Sequence, residues 1–388
     1  MIQLRKAVVG LVCMAVCLGA GVLPCFADSK EPECLYAASA VVMEAETGRI
    51  LYEKNGNEQR AMASTTKLMT LLIALENGDF ETPVQVSARA AAQPDVHMDM
   101  REGETFSLMD LLYAMMLQSY NDAAVAIAEA VAGSVEEFCW MMNVKAAEVG
   151  AGQTNFSTVN GLDAKDHYST AVDMARITRC VMQNPVAMEI MGTRSYTIQK
   201  NTVNSRQVVL ENKNPLLNSY SGAIGGKTGF TAEAGLCLVG IAKRDDVTLI
   251  TVVLGAGWPP HSRYRVSDCQ KLFEYGFNGF YYIELPIKRL DTAEPVEVRN
   301  GVYGAVSTYI KEESFRYFVE EEDLWRLEYN LPYVMDAPIQ KDQVLGFVSV
   351  YVDGRVVGHL DVCAAGNVEA RDYWFYWKKL LDKILPER

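Results

Sequence analysis

Two strand-forming stretches lie far apart in this chain with helical pattern between them, and this arrangement narrows the fold more than any other feature. Residues 38–54 alternate about Glu46-Thr47-Gly48 and read as a hairpin, 39–45 out and 49–53 back. Residues 236–242 and 247–254 flank Lys243-Arg244-Asp245-Asp246 and read as a second hairpin of two largely buried strands. Between the two hairpins, residues 64–76 carry Leu68, Leu71, Leu72 and Leu75 on one helical face, closed by Asn77-Gly78. Helical pattern continues at 107–118, 122–132, 134–149 and 170–183, and again at 266–275. One antiparallel sheet drawn from both ends of the segment, with helices inserted between, buries these faces most simply. The expected class is α/β of the α+β kind.

The 388 residues exceed what one such domain needs, and the pattern changes twice. Beyond Pro286 short strands are expected at 295–299, 304–309, 344–352 and 356–362, the last two joined by Asp353-Gly354-Arg355. A small β domain is therefore expected over 287–365, after a first domain over 28–286. In the tail, 366–388, Tyr373, Trp374, Trp377, Leu380, Leu381, Ile384 and Leu385 fall on one helical face, with Lys378, Lys379, Asp382 and Lys383 elsewhere. Thirteen helical residues reach only about 20 Å, too short to span a bilayer. An aromatic, lysine-bearing helix suits the plane of a membrane interface, and a helix docked on the β domain is the plainer reading of the same pattern. At the other end, Arg5 and Lys6 precede an apolar run from 7 to 23, with Cys25-Phe26-Ala27 as a small-residue cleavage site. Residues 1–27 read as an export signal, and its removal takes the formal charge from −13 to −15.

The acidic balance, 49 Asp and Glu against 36 Lys and Arg, argues against a nucleic-acid partner. Four histidines (His97, His167, His261, His359) include no H-x-x-x-H pair, which argues against a zinc hydrolase, and neither metal nor cofactor is expected. Cys34, Cys139, Cys180, Cys237, Cys269 and Cys363 follow the leader without a C-x-x-C pair, in a chain large enough to need no disulfide scaffold.

Chemistry enters at Ser64-Thr65-Thr66-Lys67, where Ser64 is the only serine of the chain with a lysine three residues on. One helical turn places both side chains on one face. A serine hydroxyl needs a base, and a lysine serves as one only when desolvation or a nearby cation keeps it neutral. A serine at a helix start also sits among outward backbone N–H groups, suited to an oxyanion. About one such match per chain of this size arises by chance, and a helix cap followed by a solvated lysine explains it equally well. Ser119-Tyr120-Asn121, the only S-x-N, falls between two helices, and Lys227-Thr228-Gly229 is the only K-T-G. A cap and a strand-end turn are their plain readings, but a chance K-T-G is expected in only a few of a hundred such chains. Three ordered motifs, each in its fitting local context, make a specific signal.

On these residues the chain resembles the serine acyl-transferases that include penicillin-binding proteins and class A β-lactamases. More narrowly it is similar to the low-molecular-mass penicillin-binding proteins that are D-alanyl-D-alanine carboxypeptidases of the peptidase S11 type. Asn160-Gly161-Leu162-Asp163, His167-Tyr168-Ser169-Thr170-Ala171, Gly226 to Thr231 and Arg263-Tyr264-Arg265 extend the likeness over most of 36–280; Tyr120, where the family often has glycine, departs from it. The resemblance implies a β-lactamase/transpeptidase-like domain followed by a small all-β domain. It implies Ser64 as nucleophile, Lys67 as its base, Ser119 as proton relay, and Asn121 orienting Lys67 and the substrate amide. Lys227 and Thr228 would hold the substrate's terminal carboxylate, Gly229 would admit close backbone approach, and the N–H groups of Ser64 and Phe230 would form the oxyanion hole. Arg265 is a further candidate for substrate contact, with a surface ion pair as its plain alternative. The implied partners are peptidoglycan stem peptides and β-lactam antibiotics, at the extracytoplasmic face of the bacterial cell membrane. A class A-like β-lactamase would need a deacylating glutamate, and no E-x-x-x-N occurs around 153–168. A catalytically silent peptidoglycan-binding module is the third reading, which intact Ser64, Lys67, Ser119 and Lys227 argue against.

Overall fold

The computed structural model describes residues 4–9, 31–32, 34–94, 96–285, 287 and 295–384, with the side chains of 4–9, 382 and 383 outside that description. Most of the segment read as an export signal, including the cleavage site, lies outside the described residues. Two compact units divide between Gly279 and Phe280. That division falls ahead of the expected 286/287 boundary because Tyr281–Leu285 is a strand paired antiparallel with Phe315–Val319.

The first unit is built on a five-stranded antiparallel sheet. In spatial order its strands are Ile50–Lys54, Ser39–Glu44, Val247–Leu254, Gly235–Arg244 and Ala223–Thr231. The two hairpins expected from the sequence meet where Ser39–Glu44 pairs with Val247–Leu254, Val41 opposite Val252. The sheet is thus closed by strands from both ends of the unit. Both faces are covered, so Ser39–Glu44 is buried along its whole length rather than alternating.

Most of the inserted helices start on their own caps. The hydroxyls of Ser107, Ser134 and Thr170 accept from the N–H groups of Asp110, Glu137 and Asp173, each three residues on. Such caps contribute about 1 kcal/mol each. Small side chains set the spacing of Asn121–Ala132: Ala123, Ala124, Ala126 and Ala128 are all fully buried. Lys67–Asn77 packs Leu68, Leu71 and Leu72 into the same core. Pro185–Gly192, a helix the sequence reading passed over, adds Ile190 and Met191.

In the second unit, the sheet order is Leu4–Val9, Trp325–Pro332, Val344–Val352, Arg355–Ala364 and Thr308–Ile310. Leu4–Val9, inside the segment read as a leader, pairs antiparallel with Trp325–Pro332. The inner residues Val348, Val350, Leu360 and Val362 form its core. The tail is a helix, Tyr373–Ile384, with Tyr373, Trp374, Tyr376, Trp377, Leu380, Leu381 and Ile384 all exposed. No helix among the described residues is long and apolar enough to cross a membrane.

Candidate active site

Ala63–Thr66 forms one turn of 3-10 helix that leads directly into Lys67–Asn77. Ala63 sits at φ +49°, a left-handed conformation costly for any residue with a Cβ. That bend lifts the turn away from the line of the helix and presents Ser64 half-buried at its start. Lys67 lies one turn on and is fully buried. Its Nζ lies 2.9 Å from Ser64 Oγ and donates to Asn121 Oδ1 at 2.9 Å and to the main-chain carbonyl of Asn160 at 2.6 Å. Ser64 Oγ in turn lies 3.3 Å from that carbonyl.

Ser119 and Asn121 arrive from the break between two helices. Leu108–Gln118 ends because Ser119 is left-handed at φ +67°, and the chain re-enters helix at Asn121. The reversal turns Ser119 Oγ towards Lys227, whose Nζ donates to it at 3.0 Å and to the Thr228 carbonyl at 3.0 Å. Asn121 is fixed by donating Nδ2 to the Pro94 carbonyl at 3.1 Å. The next residue, Asp122, is buried and accepts from the N–H groups of Met98 and Met100.

The third motif lies within the edge strand Ala223–Thr231. Lys227 and Gly229, two residues apart, share the face turned to the helices. A Cβ at Gly229 would stand 3.1 Å from Ser64 N and 3.0 Å from Ala63 Cβ, so glycine lets this strand close on the serine turn where a larger residue would push the two apart by a few tenths of an ångström. Thr228 is buried, while Phe230 is exposed at 46%. Alternate N–H groups of an edge strand face away from the neighbouring strand.

The electrostatics follow from burial among cations. Burial first, and then the Lys227 charge, hold the Lys67 ammonium well below its ordinary range, against a smaller opposing effect of Asp122. Lys227 is itself pushed down to about 7 by burial and by the charges of Arg265 and Lys213. An amine that gives up its proton far more readily than an ordinary lysine thus sits in hydrogen-bond reach of a serine hydroxyl, beside a second amine able to take up a proton when an anion arrives. This arrangement can deprotonate Ser64 for attack on a carbonyl and hold a carboxylate nearby.

The structure therefore brings Ser64, Lys67, Ser119, Asn121 and Lys227 into one hydrogen-bonded set, with Thr228, Gly229 and Phe230 on the strand beside it. Arg265 is placed differently. Its Nη1 donates to the carbonyls of Gly229 at 2.9 Å and Cys237 at 3.3 Å, a directly paired couple of the sheet. It braces the strand backbone and adds positive charge behind Lys227. The sequence reading missed the Asn160 carbonyl and Lys213. A main-chain oxygen has no letter of its own, though the glycine after Asn160 was visible.

Residues 27–257 match the family model described as D-alanyl-D-alanine carboxypeptidase, and 286–370 match the C-terminal domain of penicillin-binding protein 5. The chain belongs to the D-alanyl-D-alanine carboxypeptidase family, peptidase S11. It is 33% identical over 352 residues to D-alanyl-D-alanine carboxypeptidase DacF of Bacillus subtilis, covering 89% of each chain. It is 31% identical over 363 residues to DacC of Escherichia coli, covering 88% of this chain and 86% of that one. Among solved structures, penicillin-binding protein 5 of Haemophilus influenzae superposes with a TM-score of 0.72 at 28% identity, covering 88% of this chain and 99% of the other. A Streptomyces K15 DD-transpeptidase variant gives 0.59 at 32% identity, covering 63% and 98%.

Proposed function

We propose that this enzyme removes the terminal D-alanine from peptidoglycan pentapeptide stems through an acyl-enzyme on Ser64, and that penicillin acylates the same serine. The observation that carries the reading is the fully buried Lys67, whose amine lies 2.9 Å from Ser64 Oγ and whose proton is loosened by burial and by Lys227. Ser64 Oγ attacks the carbonyl of the penultimate D-alanine as Lys67 Nζ takes its proton. The N–H groups of Ser64 and Phe230 receive the developing oxyanion. The C–N bond then breaks, and the departing amine takes a proton relayed through Ser119, which Lys227 contacts. Water hydrolyses the ester and returns the proton to Ser64. Lys227 and Thr228 hold the free carboxylate, the group that distinguishes a chain terminus from an internal peptide. Asn121 orients Lys67 and the scissile amide. Arg265 acts at one remove, by holding the strand that carries Gly229.

A β-lactamase of this architecture would place a carboxylate where it can activate water. Here the segment facing Lys67 and Ser64 contributes the Asn160 main-chain carbonyl, and Asp163 is engaged with Thr231 Oγ1 at 2.6 Å. That supports a slowly deacylating penicillin target. We place the catalytic domain at 28–286, the β domain at 287–365 and an export signal at 1–27, with action at the extracytoplasmic face of the bacterial membrane. The exposed aromatic face of Tyr373–Ile384 supports attachment parallel to that surface. Incubation with diacyl-Lys-D-Ala-D-Ala is the test. Stoichiometric release of D-alanine, lost in Ser64→Ala, is expected, whereas rapid penicillin turnover without D-alanine release would refute the reading.

A further inference from the structure

We propose that His167 is a positioning residue that, through Thr66, fixes the peptide between Ala63 and Ser64 and so aims the Ser64 N–H. The inference rests on Ser64 being the nucleophile.

His167 is 4% exposed and lies in none of the three motifs. Its Nδ1 accepts from two backbone donors, the N–H groups of Ser157 at 3.2 Å and Thr158 at 3.3 Å. A nitrogen that accepts twice carries no proton, so the ring hydrogen is on Nε2. Burial agrees, holding the imidazole neutral down to about pH 4. Nε2 faces Thr66 Oγ1 at 2.8 Å, and Thr158 Oγ1 more distantly at 3.4 Å. The Thr66 hydroxyl gives its own hydrogen to the Ala63 carbonyl at 2.8 Å, which leaves its lone pair for the imidazole N–H. The relay therefore has one direction: His167 to Thr66 to Ala63.

The peptide bond is planar and trans, so holding the Ala63 carbonyl fixes the Ser64 N–H on the opposite side. That side meets the edge strand, where a Cβ at Gly229 would lie only 3.1 Å from Ser64 N. Ala63, in its left-handed conformation, needs such support, because a relaxed backbone would rotate this peptide. The anchor at the far end belongs to the segment that presents the Asn160 carbonyl to Lys67. One imidazole thus ties the oxyanion donor and the base's acceptor to the same frame.

The test uses Thr66→Val, which keeps the shape and removes the hydroxyl, with His167→Gln, whose amide nitrogen reaches the Nε2 position, and His167→Asn, which reaches only the Nδ1 position. Penicillin acylation rate, kcat and KM for D-alanine release, and Tm are measured on the full chain. Thr66→Val and His167→Asn are expected to lose about 10- to 100-fold in acylation and kcat with KM within about twofold, since misplacement of about 1 Å costs up to about 10²-fold. His167→Gln should stay within about threefold of wild type. Wild-type acylation by folded Thr66→Val would overturn the inference, as would equal losses in the Gln and Asn variants at equal Tm. If His167→Asn does not fold, Thr66→Val decides alone. A wild-type enzyme unlabelled at Ser64 would instead remove the underlying reading.

Discussion

Replacing Gly161 by alanine tests how rigidly the serine turn is seated. Gly161 is left-handed at φ +85°, and an added Cβ would stand 2.0 Å from the Ala63 carbonyl oxygen and 2.9 Å from Ser64 N. The conformation alone costs an alanine about 1–2 kcal/mol. The overlap adds a displacement: ordinary C···O contacts begin near ~3.3 Å, so the two segments must part by more than about 1 Å. Parting displaces the Ala63–Ser64 peptide relative to Gly229 and draws the Asn160 carbonyl off Lys67. At about 10²-fold for 1 Å, the acylation rate should fall about 100-fold, equivalent to about 2.7 kcal/mol at the transition state. Gly103→Ala is the matched control, since Gly103 is also left-handed, at φ +83°, with nothing within 4 Å of the added carbon. Stopped-flow acylation by a chromogenic β-lactam, with Tm for each variant, separates the two effects. Both variants should lose similar stability from the backbone, and only Gly161→Ala should lose acylation. Equal acylation rates in the two variants would refute the close-seating argument.

Lys227→Gln removes one of the charges that depress Lys67, so Lys67 should hold its proton to higher pH. The acid limb of kcat/KM, which rises as Lys67 becomes neutral, should move upward in pH; a limb that stays or moves down counts against Lys67 as the base. His167 titrates near 6.5 unfolded and about 4 folded, depressed by burial and by Lys67 and opposed by Asp163. The unfolded chain therefore binds the extra proton between those values. Stability is full above about 6.5 and falls as pH drops towards about 4, by about 3 kcal/mol in order of magnitude. Urea denaturation at pH 7.5 and pH 4 should show a drop that shrinks in His167→Gln; an undiminished drop would place its cause elsewhere. Removing residues 370–388 should abolish co-sedimentation with phosphatidylglycerol-containing vesicles while leaving penicillin acylation unchanged, and retained vesicle binding would remove the tail from that role.

Much of the site was legible because its chemistry resides in side chains with fixed spacing. Ser64 and Lys67 one turn apart, Ser119 and Asn121 in a helix break, and Lys227 on a strand all appear as letters. The sheet was legible for a similar reason: 236–254 is an apolar hairpin long enough to need a partner, and 38–54 is another. Features set by the backbone escaped. The Asn160 carbonyl, the left-handed Ala63 and the reversed Ser119 are conformations that other parts of the fold enforce. Arg265 was legible as a candidate, but its main-chain partners were not: an arginine in the first turn of a helix has no marked destination, and here the carbonyls of Gly229 and Cys237 receive it. In the β unit, Phe315–Val319 and Trp325–Pro332 were missed because their charged residues interrupt any run of apolar ones. Pairing with neighbouring strands, more than local pattern, defines them.

Mass spectrometry of the protein after brief exposure to benzylpenicillin, followed by peptide mapping, tests the central claim most directly. One penicilloyl group on the peptide containing Ser64, absent from Ser64→Ala, is the expected result. An unlabelled wild type, or a label that persists in Ser64→Ala, would contradict the assignment of Ser64 as the nucleophile.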